Sequence, residues 1–163
     1  MELLLTAFVG TAAEELVKGI EGCTVLLLPN DKKADGVLLR GELVRKRYDI
    51  VLALGQKPRI RDRIFLETEA GSRGKRLQTT ADVGELKKVL EKAGFVVCLS
   101  RSPGTSFCNA LYWAGLEYIK ENRLPIGMAF LHVPFLEGIT DLPRFGEEFL
   151  SAVQEIRRME RRM

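Results

Sequence analysis

One cysteine and the only histidine of this 163-residue chain have the sequence contexts of a nucleophile and its general base. Cys108 stands just after a Pro-Gly turn, and His132 follows 24 positions later at the end of an apolar run. An imidazole that accepts the thiol proton would let the sulfur attack a carbonyl, and it would later return the proton to an amine leaving group. The pairing therefore predicts cysteine-dependent chemistry. The alternative for His132 alone is a buried histidine satisfied by a backbone carbonyl.

The position of Cys108 at the start of a predicted helix favours an ionised sulfur. A strand-like run at 95–99 leads through the turn at 103–104 into an amphipathic pattern that begins near Cys108. Unpaired backbone amides and the positive end of the helix dipole would stabilise an anion there, so we expect a reactive thiolate. Cys98, inside the apolar run, is expected to be a buried small hydrophobe.

Short apolar runs alternate with helical patterns along the chain, which is typical of an α/β fold. One helical pattern covers 80–93, where Gly94 would end the helix, and another begins at Phe145. Strands that are apolar on both faces and joined by helices favour a parallel sheet covered on both sides. We therefore expect a single-domain three-layer α/β sandwich over 1–163, with a mostly parallel open sheet and functional groups at the carboxyl ends of its strands. The strand-like runs are 2–8, 23–28, 48–54, 95–99 and 126–133.

Composition and charge exclude several classes of protein. The chain is 46% hydrophobic, yet no apolar run reaches the roughly 20 residues of a membrane span, and residues 1–5 lack the basic segment of a secretory signal. We expect a cytoplasmic protein without membrane contact. Three cysteines without a Cys-x-x-Cys unit indicate neither a disulfide framework nor a zinc site.

The net charge of +3 is a mild imbalance that is typical of a solvated surface. The basic clusters carry few aromatic residues and no recognisable nucleic-acid motif, so no nucleic-acid partner is expected. These clusters lie at 45–47, 57–63, 73–76 and 157–162.

Two motifs resemble the nucleophile and base motifs of the pyroglutamyl peptidases, also called pyrrolidone-carboxylate peptidases. They are Pro-Gly-Thr-Ser-Phe-Cys-Asn, ending at 109, and Phe-Leu-His-Val-Pro-Phe-Leu, beginning at 130. The family's Ile-x-x-Glu-x-x-Ala strand is mirrored at 64–70, which gives Glu67 the orienting position; a carboxylate that holds the imidazole tautomer is the part a cysteine–histidine pair lacks. The resemblance implies a homo-oligomeric cysteine peptidase that removes N-terminal pyroglutamyl groups from peptides through Cys108, His132 and Glu67, without a metal or organic cofactor.

The resemblance leaves two assignments open. Glu69, two positions after Glu67, would point to the same strand face, so spacing alone does not exclude it. Counting back from Glu67, Arg61 matches the family arginine that resembles an oxyanion contributor, but counting forward from the preceding Gly-Gln turn selects Arg59. The backbone amide of Cys108 should supply the other oxyanion donor. Alternatively, these arginines are solvated side chains of a loop.

The pocket motifs depart from the family pattern. Phe8 and Gln56 are the matching positions that survive, whereas one aromatic wall and an asparagine are replaced. Gln56 would pair with a lactam or a side-chain amide, and Phe107 would replace the missing wall, unless it packs in the core. The loop after Ala70 is shortened, and we expect 71–74 to run almost directly into the next helix. A more open pocket discriminates less. The alternatives are therefore hydrolysis of another small amide, or a non-catalytic interaction protein on the same scaffold.

Overall fold

Six strands of this protein form one sheet with helices on both faces in the computed structural model, which describes residues 1–104 and 106–159. Thr105 of the nucleophile motif and Arg161 and Arg162 of the last basic cluster lie outside the described residues. The strands are β1 (Leu3–Phe8), β2 (Thr24–Leu28), β3 (Ile50–Lys57), β4 (Ile64–Glu67), β5 (Glu69–Ser72), β6 (Lys75–Gln78), β7 (Val97–Ser100) and β8 (Gly127–Pro134). The helices are α1 (Ala12–Val17), α2 (Lys32–Arg45), α3 (Val83–Ala93), α4 (Phe107–Glu121) and α5 (Leu142–Arg158).

The sheet has the strand order β2-β1-β3-β8-β4-β7. Strands β2, β1, β3 and β8 are mutually parallel, whereas β4 runs antiparallel to β8 and parallel to β7. Strands β5 and β6 form a separate antiparallel hairpin. The expected α/β fold with a mostly parallel sheet is confirmed.

The two faces of the sheet are covered by different helices, and strand periodicity decides which side chain meets which layer. In β3, Leu52 and Leu54 pack in the core formed with α1, α3 and α5. Val51 and Ala53 alternate with them and pack in the core formed with α2 and α4. Apolar side chains on both faces of the central strands are therefore buried, and the same alternation directs Gly55 towards α4.

Strand β7 is an edge strand, and its outer side chains are exposed. Val96, just before it, and Leu99 within it are 55% and 53% exposed. Cys98 is only half-buried. The expectation that Cys98 is a buried hydrophobe is therefore wrong, because an edge position leaves one side of the strand open to solvent.

Residues after Glu67 do not continue the strand that carries it. The motif at 64–70 is divided between β4 in the main sheet and β5 in the hairpin. The expectation that 71–74 run almost directly into a helix is wrong as well, because the β5–β6 hairpin intervenes before α3. Arg73 and Gly74 form its two-residue loop with φ values of 49° and 77°, as type I′ turns require.

The helix ends follow their local signals. Helix α3 ends at Gly94, which takes a left-handed φ of 119° as expected of a C-terminal glycine. Helix α4 begins at Phe107, so Cys108 lies in its first turn. None of the helices in the described ranges is long and apolar enough to cross a membrane.

Candidate active site

A cavity of about 490 Å³ opens at the carboxyl ends of β3 and β8. This is where a parallel sheet is expected to present functional groups. Cys108 and His132 both line the cavity, and the loop that precedes α4 forms one of its walls. The lining residues are Gln56, Lys57, Pro58, Arg59, Pro103, Gly104, Ser106, Cys108 and His132.

Glu67 and His132 form a buried pair. Oε1 of Glu67 lies 3.0 Å from Nδ1 of His132. Glu67 is 0% exposed and His132 is 2% exposed. The antiparallel register places Glu67 opposite Phe130, two residues before His132 and on the same face of the sheet. The contact holds Nδ1 against the carboxylate, so Nε2 is the nitrogen that can take a proton from a thiol.

The rest of the Glu67 carboxylate is also hydrogen-bonded. The backbone amide of Ser102 donates to Oε2 of the carboxylate over 3.1 Å. The hydroxyl of Tyr112 donates to the backbone carbonyl of Glu67 over 2.9 Å, which also helps to hold the residue in place. Burial by itself raises the pKa of Glu67, but hydrogen bonds from His132 and Ser100 and nearby positive charge outweigh it, so the pKa is lowered. Glu67 is therefore a carboxylate at neutral pH.

Lys57 links Glu67 to the wall of the cavity. Its ammonium lies 3.6 Å from Oε1 of Glu67 and donates to the carbonyl of Ser102 over 2.9 Å. It also lies 5.4 Å from the centre of the Phe65 ring. Because Ser102 donates to Glu67 in turn, these three residues form a closed set of contacts between the ends of β3 and β4 and the segment that leads to Cys108.

The sulfur of Cys108 packs directly against the backbone of Gly55. A β-carbon at Gly55 would lie 2.5 Å from Sγ. Gly55 is also the register partner of His132 in the β3–β8 pair, and registered residues of parallel strands share a face. The absence of a side chain at Gly55 thus lets Sγ approach the strand next to β8, and Cys108 and His132 line the same cavity.

Cys108 is a neutral thiol in this environment. The residue is 8% exposed, and burial, reinforced by the negative charge of Glu67, raises the pKa of its thiol to about 12. Lys57 acts in the opposite direction but is outweighed. The expectation of a resting thiolate is therefore wrong, because desolvation exceeds the stabilisation that a helix start offers. Attack by this sulfur requires a base that removes the proton as the bond forms.

The structure separates the acids and arginines that spacing left open. Glu69 begins the hairpin and lies 3.9 Å from Arg76 and 3.8 Å from Arg101, whereas Glu67 contacts His132. Arg59 lines the cavity, with its backbone at a φ of 67°, a conformation that is costly for residues other than glycine.

Arg61 is exposed and is not part of the cavity lining.

Only one of the three residues expected to bind substrate lines the cavity. Gln56 does so, and its Oε1 accepts from the Ala12 amide over 3.0 Å, which orients the side-chain NH₂. Phe8 is buried in the core shared with α4, and Phe107 is half-buried against that core. Lys32 lies 5.7 Å from the centre of the Phe107 ring.

Two residues that contact Glu67 or Cys108 are not distinguished by any sequence pattern. Lys57 was visible only as one cation in a basic run, and Gly55 only as half of a turn motif. Neither has a signal in the sequence that predicts its contact with Glu67 or Cys108. In the part of the chain that the structure describes, no group of three or more His, Cys, Asp or Glu side chains is placed to hold a metal ion.

Comparison with known proteins finds local sequence similarity to one group of curated peptidases. No family model matches the chain. A 57-residue segment is 35% identical to pyrrolidone-carboxylate peptidase 1 of Caldanaerobacter subterraneus, and it covers 35% of this chain and 28% of that relative. A 62-residue segment is 37% identical to the pyrrolidone-carboxylate peptidase of Brachyspira hyodysenteriae, of which it covers 31%. The matched segments thus span less than a third of these curated relatives.

The fold likeness extends over nearly the whole chain. The pyrrolidone carboxyl peptidase of Fervidobacterium islandicum superposes with a TM-score of 0.80 at 19% identity, covering 96% of this chain and 98% of that one. Pyroglutamyl peptidase I of Bacillus amyloliquefaciens gives 0.78 at 20% identity, covering 93% and 94%. The chain shares the fold of these enzymes, and the resemblance found in its motifs is confirmed.

Proposed function

We propose that this protein is a cysteine peptidase that removes the N-terminal pyroglutamyl group from peptides. The observation that carries the proposal is the buried contact of Glu67 with Nδ1 of His132, a residue that lines one cavity together with Cys108. Local sequence similarity to pyrrolidone-carboxylate peptidases supports this substrate class. The assigned roles are nucleophile for Cys108, general base for His132 and orienting carboxylate for Glu67.

The raised pKa of the Cys108 thiol determines how the reaction begins. His132 takes the thiol proton through Nε2 as Sγ attacks the carbonyl carbon of the peptide bond that follows the pyroglutamyl ring. Glu67 stabilises the imidazolium that forms, since its carboxylate is ionised and in contact with Nδ1. The proton then passes to the leaving amine, the C–N bond breaks and a thioester is formed. A water molecule deprotonated by His132 hydrolyses the thioester and regenerates the thiol.

The oxyanion of each tetrahedral intermediate needs hydrogen-bond donors. The backbone amide of Cys108 is one candidate. Arg59 is the second, in preference to Arg61, because Arg59 lines the cavity. Gln56 is the candidate donor to the lactam carbonyl, since its oxygen is held by Ala12 and its amide nitrogen is left for the substrate.

Release of a fluorescent amine from a pyroglutamyl amide tests the proposal. We expect turnover by the native protein, its loss in Cys108→Ser and its retention in Cys98→Ser, which alters a half-buried cysteine on the edge strand. A folded native protein without turnover would refute pyroglutamyl specificity. Turnover that survives in Cys108→Ser would refute the assigned nucleophile.

A cytoplasmic location and a homo-oligomeric state belong to the same proposal. The location follows from the sequence arguments, and the oligomer follows from the family resemblance. Light scattering after size-exclusion chromatography measures the assembly. A single species at the chain mass of 18.3 kDa would contradict the oligomer.

A further inference from the structure

A second pocket adjoins the candidate active site. It has a volume of about 350 Å³ and shares two wall residues, Pro103 and Gly104, with the cavity that contains Cys108. Its other walls come from the β5–β6 hairpin, from Arg101 and from the start of α4. Pro103 and Gly104 therefore border both sites.

The second pocket is strongly basic. Arg73, Lys75, Arg76 and Arg101 line it, and no carboxylate is among the described residues of its lining. Glu69 lies behind them, at 3.9 Å from Arg76 and 3.8 Å from Arg101. Within the described ranges, Arg73 and Lys75 make no ion pair with an acidic side chain. Arg73 and Lys75 thus give the lining positive charge that no described acidic side chain neutralises.

The position of the basic pocket relative to the nucleophile is defined by hydrogen bonds. Asn109, the residue after Cys108, accepts from the Gly71 amide over 2.9 Å and donates to the Gly71 carbonyl over 2.8 Å. This two-point contact ties the hairpin to the first turn of α4. The tight loop at Arg73 and Gly74 belongs to the same hairpin, so the backbone that carries Arg73, Lys75 and Arg76 is joined to the first turn of α4.

We propose that this basic pocket binds a carboxylate on the leaving-group side of the substrate, so that short acidic peptides are preferred. This inference rests on the proposed function, because the pyroglutamyl ring ends the peptide on the acyl side. Only the leaving peptide extends beyond the cavity of Cys108, and the pocket that it meets across Pro103 and Gly104 is cationic. The carboxylate is either the C-terminus of a dipeptide or an acidic side chain.

Two matched substrate pairs test the inference by kcat/KM. One pair is pyroglutamyl-alanine and its C-terminal amide; the other is pyroglutamyl-glutamic acid amide and pyroglutamyl-glutamine amide. We expect the charged member of at least one pair to be favoured by about fivefold to tenfold at low salt, since two or three partly exposed ion pairs each contribute modestly. High salt should reduce the preference. The pair that shows it identifies the source of the carboxylate.

Substitutions in the basic pocket test whether its residues cause the preference for the charged substrate. Arg73→Gln and Arg101→Gln should each lower the preference for the charged substrate, and Arg101→Lys should largely retain it. Arg158→Gln is the matched control, because it removes an exposed positive charge from α5 on the other side of the sheet and should leave the preference unchanged.

The outcomes separate the inference from the proposed function. Turnover of both pairs without a preference for the charged member would overturn the basic pocket and leave the peptidase assignment intact. A preference that is the same in Arg73→Gln, Arg101→Gln and Arg158→Gln would also overturn it. Failure to cleave any of the four substrates would refute the proposed function itself.

Discussion

The contact between Gly55 and Cys108 makes the substitution Gly55→Ala a demanding test of the active-site geometry. The added β-carbon would lie 2.5 Å from Sγ of Cys108 and 2.9 Å from Cζ of Phe130. Non-bonded heavy atoms are most stable about 3.5–4.0 Å apart, so relief by the sulfur alone requires a movement of about 1 Å or more. A misplacement of about 1 Å at a reacting group costs on the order of 100-fold in rate. We expect kcat/KM to fall by about that factor.

The cost in stability should leave the protein folded. Overpacking of a buried site destabilises by about 1–3 kcal/mol, which most domains survive. Gly41→Ala is the matched control, because a β-carbon at this exposed helical position would meet nothing within 4 Å. We expect that control to keep full activity and to gain about 0.5–1 kcal/mol from helix propensity.

Amine release from a pyroglutamyl amide and chemical denaturation measure the two effects on each variant. If Gly55→Ala keeps native stability and native kcat/KM, Sγ does not pack on this strand and the reasoning is refuted.

Three further predictions follow from the charges around the thiol. Glu67→Gln should lower turnover by as much as about 10⁴-fold, because the histidine tautomer is no longer held in place. The same substitution should speed alkylation of Cys108 by iodoacetamide, because the charge of Glu67 raises the pKa of that thiol. Slower alkylation would contradict this electrostatic assignment. Lys57→Met should slow alkylation of Cys108, since the ammonium lowers the pKa of the thiol, whereas Lys57→Arg should retain most of the native rate. In the native protein the alkylation rate of Cys108 should rise about tenfold per pH unit from neutral pH upwards, because a pKa of about 12 leaves the thiol protonated there; a plateau near neutral pH would indicate a resting thiolate.

Local patterns were enough to predict much of the architecture. Helix α3 follows from its periodic apolar residues and from Gly94, which accepts the left-handed conformation at the helix end. The central strands follow from apolar runs that require burial on both faces. The motifs around Cys108 and His132 can likewise be recognised from adjacent residues in the sequence. The structure places both residues in the lining of one cavity.

The electrostatic state of the nucleophile could not be derived in this way. A helix start favours a thiolate, but the sum of burial and the Glu67 charge raises the pKa of Cys108 instead. Both contributions come from residues that are distant in sequence. Desolvation depends on the residues that pack around the sulfur in the folded protein, so the sequence near Cys108 does not predict it.

The choice between residues with equivalent spacing was likewise made by tertiary structure. Glu67 and Glu69 alternate identically in sequence, yet the chain leaves the main sheet between them, so only Glu67 reaches His132. The tertiary structure also places Arg59, and not Arg61, in the cavity lining. The sequence by itself determined which residue types could do the chemistry and which elements would carry them, because periodicity, turns and caps are local. Strand register, the point at which the chain leaves the sheet, and burial all depend on contacts between distant segments. These contacts determined which of the candidate side chains come together in the site.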